Sequence, residues 1–528
     1  MAQRVRHAAL HARATLCELE SKRVQRLKAT MQIRNQPAAN RPQPTIGSRL
    51  HLRTIACAAA LLLAAISLPA ATTAQSSFDL QAAITSAQPG ATIHVPAGTY
   101  AAPIVIDKPL TLVGDSMPVI QGGGDGDVVE ITAPDVTLRG FVVRGSGDSL
   151  DAENSGITVG GKHVTLENNR VEDSLFGIYL HNAPGSILRG NTVIGKDLPI
   201  SRRGDGLKIW YSANSLVENN DVHDSRDVVI WYSSGTTVRG NTMDRNRYGF
   251  HFMQSDDHLI EDNVLRDNSV GIYMMYGNNF TIRRNLILDS RGPSGYALGL
   301  KEINNGTFEG NRLVNNRVAV YTDGSPIRPD GHVTFSQNLL AYNDIALTML
   351  PNTHHNTYTD NVFLENGEQV AIAGEGELVE NDWAAGGRGN YWSDYAGYDA
   401  NRDGIGDIPY AARSLYENLM DTHPELRLFQ LGPASDALDL AAKAFPIFQP
   451  QPKMADPNPL VEPPTLPAVR GIPQPPVAQN LVMSLGLLAI SIIILLAAAG
   501  TAFGTLRPTP GHTQSHAQNH DSPYRTAL

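Results

Sequence analysis

The chain has 528 residues, of which 42 are lysine or arginine and 52 are aspartate or glutamate, giving a formal net charge of −10. The first 74 residues hold 11 of the basic and 2 of the acidic side chains, so the remainder carries 31 against 50, about −19. This acidic balance argues against a nucleic-acid partner and favours cationic partners or simple solubility. Both cysteines, Cys17 and Cys57, also lie in that first segment, so soft-metal chemistry in the remainder would need methionine or histidine.

The N-terminal segment predicts export. Residues 1–53 are basic and irregular, and an apolar stretch over 55–68 is followed by small residues. This order is typical of a secretory signal, with cleavage before Gln75. We interpret residues 1–74 as a signal or targeting segment, with Met31 as an alternative translation start. The competing interpretation is a permanent membrane anchor.

A repeated phrase dominates the middle of the chain. It consists of an apolar residue, two residues, Asn, one residue and another apolar residue, and it recurs at intervals of 21 to 29 residues. A period in the low twenties fits one coil of a β-solenoid. We therefore expect an all-β fold, a right-handed parallel β-helix over 78–410, with the handedness taken from precedent. The repeated asparagines are Asn169, Asn191, Asn220, Asn241, Asn263, Asn285, Asn311, Asn338 and Asn361.

The asparagine column predicts a structural role. Asparagine tolerates left-handed backbone geometry, hydrogen-bonds in turns and stacks on itself along a coil axis. A second strand in each coil alternates apolar and polar residues, so one set faces the core and the other faces outward. Like residues of successive coils would lie about 4.8 Å apart.

The two ends of the solenoid need covers. A short amphipathic helix over 79–87 is expected to cap the first coil, which begins near 91–95. Residues 411–448 predict a helical segment, which either covers the last coil or docks a membrane partner.

The C-terminal part predicts a tether. Residues 446–480 hold 11 prolines in 35 positions, which predicts a semi-rigid linker over 449–480 that reaches at most roughly 100 Å at about 3.1 Å per residue. Residues 481–503 carry no charge and are long enough for one transmembrane helix. Residues 504–528 would then form a cytoplasmic tail, and the main domain would be periplasmic and tethered to the inner membrane.

One outward stripe of the predicted β-helix carries soft donor atoms. Stacking places Met253 beside Met275, with His251 on the same face. Two thioethers and an imidazole are suitable ligands for a transient Cu(I) ion. Trp210 and Trp231 would form an aromatic ladder next to them. The alternative is a face covered by loops or by a partner, without metal.

A second candidate metal site lies near the end of the predicted β-helix, in a loop between 389 and 410. Asp399, Asn401, Asp403 and Asp407 follow the pattern D-x-N-x-D-G-x-x-D, which offers hard oxygen ligands to a structural Ca²⁺ ion. The glutamate that completes an EF-hand is absent, since Tyr410 stands there. The alternative is an Asx-turn loop whose carboxylates are solvated.

Longer phrases identify a family resemblance. The phrases DGLKIWYS, YGFHFMQSDD and VGIYMMYGNN, together with GNYWSDYAGYDANRDGIGDIPY, resemble the NosD family over about residues 78–448. NosD proteins are periplasmic, copper-associated accessory proteins for maturation of nitrous-oxide reductase. The resemblance implies a non-enzymatic maturation scaffold that works with the membrane and ATPase subunits of an ABC transporter. It also implies a copper-chaperone lipoprotein as donor and apo nitrous-oxide reductase as client, but it supplies no ligand set.

The alternative function is a β-helix carbohydrate-active enzyme, such as a polysaccharide lyase, epimerase or hydrolase. Sugars could stack on aromatic side chains of the groove, and acidic residues could provide acid–base catalysis. The aromatic candidates are Trp210, Trp231, Tyr179 and Tyr273, and the charged candidates are Asp205, Asp227, Asp256 and Arg203. ATP hydrolysis through a P-loop is not expected, because the phrase G-x-x-x-x-G-K-[ST] does not occur.

Overall fold

Three parallel sheets run side by side along the chain's repeats. A computed structural model describes residues 78–374, 378–413, 415–429 and 452–472, together with residues 432, 435, 437, 438, 440 and 441. Each coil contributes one strand to each sheet, and each strand pairs only with its counterparts in the preceding and following coils. The predicted right-handed parallel β-helix is confirmed, with about 12 coils.

The strands are short because each coil turns three times. Sheet A contains β1 (Thr92–Val95), β4 (Thr111–Gly114), β7 (Thr137–Arg139), β10 (Thr165–Glu167), β13 (Ile187–Arg189), β16 (Leu216–Glu218), β19 (Thr237–Arg239), β22 (His258–Glu261), β25 (Phe280–Arg283), β28 (Asn305–Glu309), β31 (His332–Ser336) and β34 (Asn356–Thr359). Sheet B contains β2 (Thr99–Ala101), β5 (Val119–Gln121), β8 (Val142–Arg144), β11 (Arg170–Ser174), β14 (Thr192–Gly195), β17 (Asp221–His223), β20 (Thr242–Asp244), β23 (Val264–Arg266), β26 (Leu286–Leu288), β29 (Arg312–Val314), β32 (Leu339–Ala341), β35 (Val362–Leu364) and β37 (Tyr391–Trp392). Sheet C contains β3 (Ile104–Ile106), β6 (Val129–Ile131), β9 (Ser155–Val159), β12 (Phe176–His181), β15 (Leu207–Trp210), β18 (Asp227–Trp231), β21 (Tyr248–Met253), β24 (Val270–Met275), β27 (Tyr296–Lys301), β30 (Val318–Asp323), β33 (Ile345–Met349) and β36 (Glu368–Ile372).

The repeated phrase marks a corner of the coil. Its first apolar residue lies in sheet A, its second lies in sheet B, and the asparagine sits at the turn between them, as Leu166, Val171 and Asn169 illustrate. The inward residues of all three sheets are fully buried and form one continuous core. Period-two alternation therefore sorts every strand into a core face and an outer face, as predicted.

The asparagine column forms a hydrogen-bonded ladder. The side-chain amide of Asn241 donates to Asn263 Oδ1 over 3.0 Å and to the Val217 carbonyl over 2.9 Å, and the Asn241 backbone N–H donates to the same Oδ1. The same contacts recur from Asn169 through Asn361 to Asn390. The structural role of the column is confirmed.

The left-handed backbone position is not where the sequence predicted it. The column asparagines do not adopt positive φ; the residue before each of them does, as at Asn168 (φ 54°), Gly190 (φ 63°) and Asp262 (φ 56°). The asparagine instead points its side chain inward along the coil axis, because that direction satisfies its donors and acceptor at once.

Five residues after the column lies a second ladder. Asn316 donates to Asn343 Oδ1 over 3.1 Å, and Asn343 donates to Asn366 Oδ1 over 2.9 Å. Asn246 and Asn268 occupy the same position in earlier coils and are buried. This ladder holds the corner between sheets B and C.

Both ends of the described β-helix are covered. Helix α1 (Leu80–Ser86) begins at Asp79, whose carboxylate accepts from Ala82 N over 2.9 Å, and its Leu80 and Ile84 are buried on the first coil. At the other end lie β38 (Tyr410–Ala411), helix α2 (Leu415–Thr422) and the 3₁₀ helix Pro424–Phe429. One further 3₁₀ turn, Ile200–Arg202, lies in a loop between sheets B and C.

The prediction of a semi-rigid, Pro-rich linker over 449–480 is corrected for residues 452–472. These residues include β39 (Ala455–Asp456), which pairs antiparallel with β38, and they pack on the end and side of the β-helix. Proline content alone therefore did not produce a detached spacer here. Among the residues that the structure describes, no helix is long and apolar enough to cross a membrane. The predicted signal segment and the predicted transmembrane helix lie outside those residues.

Candidate functional site

The outer face of sheet C gathers the predicted donor residues. Met253 and Met275 are register partners in β21 and β24, and Trp231 is the partner of Met253 on the other side. Trp210 pairs with Trp231 in the coil before. These side chains therefore form one line parallel to the coil axis, about 4.8 Å apart per step, as the repeat predicted.

His251 and Met275 are in direct contact. The His251 Nε2 atom lies 3.4 Å from the Met275 Sδ atom, across neighbouring strands. Both side chains, and that of Met253, are half-buried rather than sealed in the core. The contact itself is a diagonal one, because the register partner of His251 is Tyr273.

The environment of His251 keeps its ring neutral. Burial lowers the pKa of the imidazole to about 4, since the charged form loses its hydration. The charge of the Asp227 carboxylate, whose Oδ2 lies 3.9 Å from His251 Nδ1, raises that pKa but does not outweigh burial. A neutral imidazole at neutral pH retains one nitrogen lone pair, which is what a metal ligand requires.

Aromatic rings extend the same face toward earlier coils. Trp210 and Trp231 stack with ring centroids 5.3 Å apart, and Tyr211 and Tyr232 stack at 4.8 Å beside them. The Trp231 indole N–H donates to Gln254 Oε1 over 3.0 Å. Tyr211 is 50% exposed. The predicted tryptophan ladder is confirmed, and its two tyrosines were missed because they follow the strands in left-handed turns, both at φ 50°.

A group of tyrosines extends the face in the other direction. Tyr273 lies between Tyr248 and Tyr296, and the Tyr296 and Tyr321 rings stack at 4.4 Å. Gly299 stands opposite Tyr273 in the next strand, where a Cβ atom would overlap the tyrosine ring. Beyond Tyr321, a cleft of about 690 Å³ opens between sheet C and the 3₁₀ helix near its end.

The carboxylates proposed for acid–base chemistry are held by arginines. Asp205 accepts from Arg226 Nε over 3.1 Å, and Asp227 accepts from Arg247 Nε over 2.8 Å. Both aspartates are almost fully buried, and burial raises the pKa of Asp205 to about 7.

The remaining candidates of the enzyme interpretation are not joined to this pair. Asp256 is exposed in the turn after β21, and Arg203 donates to the Leu198 carbonyl. Tyr179, another of these candidates, contacts Lys208, whose Nζ atom lies 4.7 Å from the centroid of the Tyr179 ring. Lys208 also forms an ion pair with Glu153.

In the predicted calcium loop, side-chain oxygens bind the loop's own backbone. Asp399 accepts from Arg402 N over 2.6 Å and from Gly404 N over 2.8 Å, and Asp407 accepts from Ala400 N over 2.7 Å. Asn401 and Asp403 are joined by a 2.9 Å hydrogen bond. Across the described ranges, no three His, Cys, Asp or Glu side chains group closely enough to hold a metal ion. Calcium binding by this loop stays a prediction.

Comparison with known proteins gives two family matches and several relatives. Residues 191–397 match the family described as "Periplasmic copper-binding protein (NosD)", and residues 73–282 match a family of unknown function, DUF1565. The chain is 28% identical over 381 residues to a probable ABC transporter binding protein NosD of Pseudomonas aeruginosa, covering 70% of this chain and 87% of that one. A protein of the same description from Stutzerimonas stutzeri is 28% identical over 404 residues, with the same coverage. Among solved structures, the A-module of the Azotobacter vinelandii mannuronan C-5 epimerase AlgE6 is 16% identical, with a TM-score of 0.45 over 58% of this chain and 93% of that chain.

The fold and its outer face define the class of protein. It is a right-handed parallel β-helix whose sheet C presents methionine, histidine and stacked aromatic side chains in one line. On these matches the chain is similar to proteins of the NosD family.

Proposed function

We propose that this chain is a periplasmic accessory scaffold for copper-centre assembly of nitrous-oxide reductase. It acts with the membrane and ATPase subunits of an ABC transporter, receives Cu(I) from a copper-chaperone lipoprotein and serves the apo-reductase as client. Support comes from the family description as a periplasmic copper-binding protein and from relatives named as ABC transporter binding proteins.

The observation that carries the proposal is the His251–Met275 contact. Two ligands of one metal ion stand about 3.5 Å apart when bonds of about 2.0 Å to nitrogen and 2.3 Å to sulfur meet at a tetrahedral angle. The measured 3.4 Å between Nε2 and Sδ fits that spacing. Met253, one coil away from Met275, supplies the third donor.

The donor set suits a transferable cargo. Thioether and imidazole groups are soft neutral ligands that favour Cu(I), and they need no deprotonation at neutral pH. Half-burial keeps the donors open on one side, so that a partner's ligands can approach the ion. Cu(I) is therefore a passing substrate of the scaffold and not its resident cofactor.

The test is an anaerobic Cu(I) titration with a competing chelator. Replacing Met253 and Met275 by Ile together keeps apolar volume on the outer face and removes both sulfurs, so Cu(I) affinity should fall by about tenfold or more, roughly the effect expected when metal-site partners are lost. Met274→Ile is the matched control, because Met274 lies in the same strand but points into the core. Unchanged affinity in the double variant would refute the site, and the His251–Met275 contact would then be only a weak N–H···S hydrogen bond.

Location and partners have their own tests. We propose that residues 1–74 export the chain and that residues 481–503 tether it to the inner membrane with 504–528 in the cytoplasm. The tethered chain should remain with the membrane fraction after a high-salt wash and should co-purify with the transporter's ATPase subunit in mild detergent. Release of the chain by salt alone would contradict the tether.

The alternative function is a carbohydrate-active enzyme. The observation that favours it is the buried Asp205, whose raised pKa of about 7 suits a general acid near neutral pH. Its side chain is ion-paired with Arg226, which is also the ordinary way to hold a buried carboxylate. Activity of the purified chain on uronate polymers that is lost in Asp205→Asn would support the enzyme. Its absence, together with Cu(I) binding, would support the scaffold.

A further inference from the structure

Residues 452–472 form a strap that runs back along one side of the β-helix. Leu460 bridges to Tyr391 of the last sheet B strand. Arg312, in an earlier coil, donates to the Pro467 carbonyl, and Arg470 donates to the Gly240 carbonyl in a coil earlier still. The strap therefore crosses the outer face of sheet B from the C-terminal end to the middle of the solenoid.

The strap is packed, not merely adjacent. Leu460 is 2% exposed and Val469 is 7% exposed. Gly471 adopts φ 86°, and a Cβ atom there would lie 3.0 Å from Leu286 Cδ2 and 3.1 Å from Val264 Cγ2. This close approach fixes the strap's end against β23 and β26, since only glycine combines that φ with that clearance.

The outer column of sheet B is covered where the strap lies. In the two coils before the strap the column holds Thr192 and Asp221, which are half-buried and exposed, and near the start of the β-helix it holds the half-buried Val119 and Val142. Under the strap it becomes apolar or buried: Val264, Leu286, Arg312, Leu339 and Val362. The apolar column and the strap therefore form one interface.

This interface shortens the proposed tether. A free spacer over 446–480 would let the β-helix move up to roughly 100 Å from the membrane. With the strap in place, only residues 473–480 separate Ile472 from the apolar run that begins at Leu481, a reach of roughly 25 Å at about 3.1 Å per residue.

We propose that the strap holds the sheet B side of the β-helix, at the coils of Val264 and Leu286, against the lipid bilayer. This rests on the tether in the proposed function. Each coil advances about 4.8 Å, so the first coil, seven steps from β23, lies roughly 34 Å away along the axis and beyond the reach of the short tether. Sheet C is a different face of the coil, so the His251–Met275 line stays open to partners instead of being turned into the lipid.

The chain offers a clean way to test this orientation. Its only cysteines lie at positions 17 and 57, within the predicted leader, so a single introduced cysteine can be labelled selectively. Arg266 in sheet B and Asp256 in the turn after β21 are both exposed, lie in neighbouring coils and differ mainly in the face they occupy. A fluorescent label at Arg266→Cys or Asp256→Cys, in the chain from Gln75 onward reconstituted into vesicles, is then quenched by acceptor-labelled lipid headgroups.

The expected result is stronger quenching at position 266 than at position 256. Gly471→Val should abolish that difference, because its side chain displaces the strap's end and lengthens the free tether. Gly123→Val is the matched control, because a Cβ at Gly123 meets nothing within 4 Å, and it should preserve the difference.

Each other result has a separate meaning. Equal or reversed quenching in chains that float with the vesicles overturns the orientation and leaves the tether intact. Chains that do not float with the vesicles overturn the tether, and the orientation falls with it. The Cu(I) titration measures neither the quenching of the label nor the flotation with vesicles, so it tests the copper proposal independently.

Discussion

Asp456 takes the place of the next asparagine beyond Asn390, although 66 residues separate the two in the chain. Its Oδ2 accepts the Asn390 backbone N–H over 2.7 Å and the Asn390 side-chain amide over 3.2 Å. The same oxygen accepts the Trp392 indole N–H over 3.0 Å. The carboxylate thus ends the ladder by receiving the donors that would otherwise face an open coil end.

Removing this carboxylate should destabilise the C-terminal end of the β-helix. In Asp456→Ala, the Asn390 backbone N–H and the Trp392 indole N–H lose their acceptor, whereas the Asn390 side-chain amide keeps the Tyr358 and Trp383 carbonyls. At roughly 1–3 kcal/mol for each group left without a partner, we expect a loss of about 2 kcal/mol or more in unfolding free energy. Asp456→Asn keeps an oxygen acceptor and should cost less. Urea unfolding followed by tryptophan fluorescence measures both, since Trp392 and Trp383 lie at this end. Equal costs for Ala and Asn would contradict the acceptor role.

Lys453 should be indispensable for docking the strap. Its side chain is 1% exposed and lies 2.7 Å from carboxylate oxygens of Glu368 and Asp421. Burial by itself lowers the pKa of Lys453, but the neighbouring carboxylates outweigh it and raise that pKa. In Lys453→Met, Glu368 keeps only Arg427 as a cationic partner, and breaking such a buried pair costs roughly 3–5 kcal/mol.

The measurement for Lys453→Met is limited proteolysis combined with urea unfolding. Early cleavage within 452–472 should precede loss of the β-helix, because the strap depends on this contact and the coils do not. The double variant Lys453→Met with Glu368→Gln should recover part of the stability, since the stranded charge is gone. If Lys453→Met resists proteolysis and urea as well as the parent chain does, Lys453 does not hold the strap on the β-helix.

His258 should make the fold sensitive to mild acid. The ring lies between Phe252 and Phe280 and donates from Nδ1 to the Thr236 carbonyl over 3.3 Å. Burial lowers its pKa to about 4, whereas an unfolded histidine titrates near 6.5. Above about 6.5 both states are neutral, and as the pH falls toward 4 the unfolded state binds the extra proton, so stability decreases by up to roughly 3 kcal/mol.

Unfolding free energies of the parent chain and His258→Leu, compared across this pH window, isolate the contribution. The variant loses one hydrogen bond and is less stable at neutral pH, but its stability should fall less steeply on acidification. The other titrating groups, including His251, are the same in both proteins, so their contributions cancel in the comparison. Identical slopes for the two proteins would show that His258 is not the titrating group.

Gly299 should be intolerant of a side chain because of Tyr273. A Cβ atom at Gly299 would overlap the Tyr273 ring, which also contacts the rings of Tyr248 and His251. Gly299→Val should cost about 1–3 kcal/mol by overpacking and should also weaken Cu(I) binding by moving Tyr273 against His251. Gly123→Val controls for the general effect of losing a glycine. Full stability together with unchanged Cu(I) affinity would contradict this arrangement.

The sequence predicted the fold well because the β-helix repeats one local rule. Spacing alone assigned the column asparagines, the inward leucines and valines, and the outward Met and Trp residues. In a β-helix, residues that lie one repeat apart in the sequence become neighbours in adjacent coils. The second asparagine ladder was equally available, because Asn246, Asn268 and Asn343 each follow a column asparagine by five residues. It was missed because only one column was sought.

Contacts between segments distant in the chain could not be predicted in this way. Nothing local in Pro467 or Gly471 indicates that they pack on coils more than 150 residues earlier, and a high proline count is equally compatible with a free spacer. The outer positions of sheet B gave no clear signal either, because they are apolar both under the strap, at Leu286 and Leu339, and away from it, at Val119 and Val142. The diagonal contact between His251 and Met275 could not be predicted from strand register either, because it depends on the side-chain rotamers.

One coil of about 22 residues adds about 4.8 Å to the solenoid and one more side chain to every outer column. Duplicating such a unit between Trp231 and Lys301 would extend the soft-donor line by one step and leave both caps unchanged, although the contacts of the strap with Gly240, Val264 and Leu286 would have to adjust to the added coil. The number of repeats therefore sets the length of the soft-donor line. That length changes in steps of one whole coil, and neither end of the β-helix has to change with it.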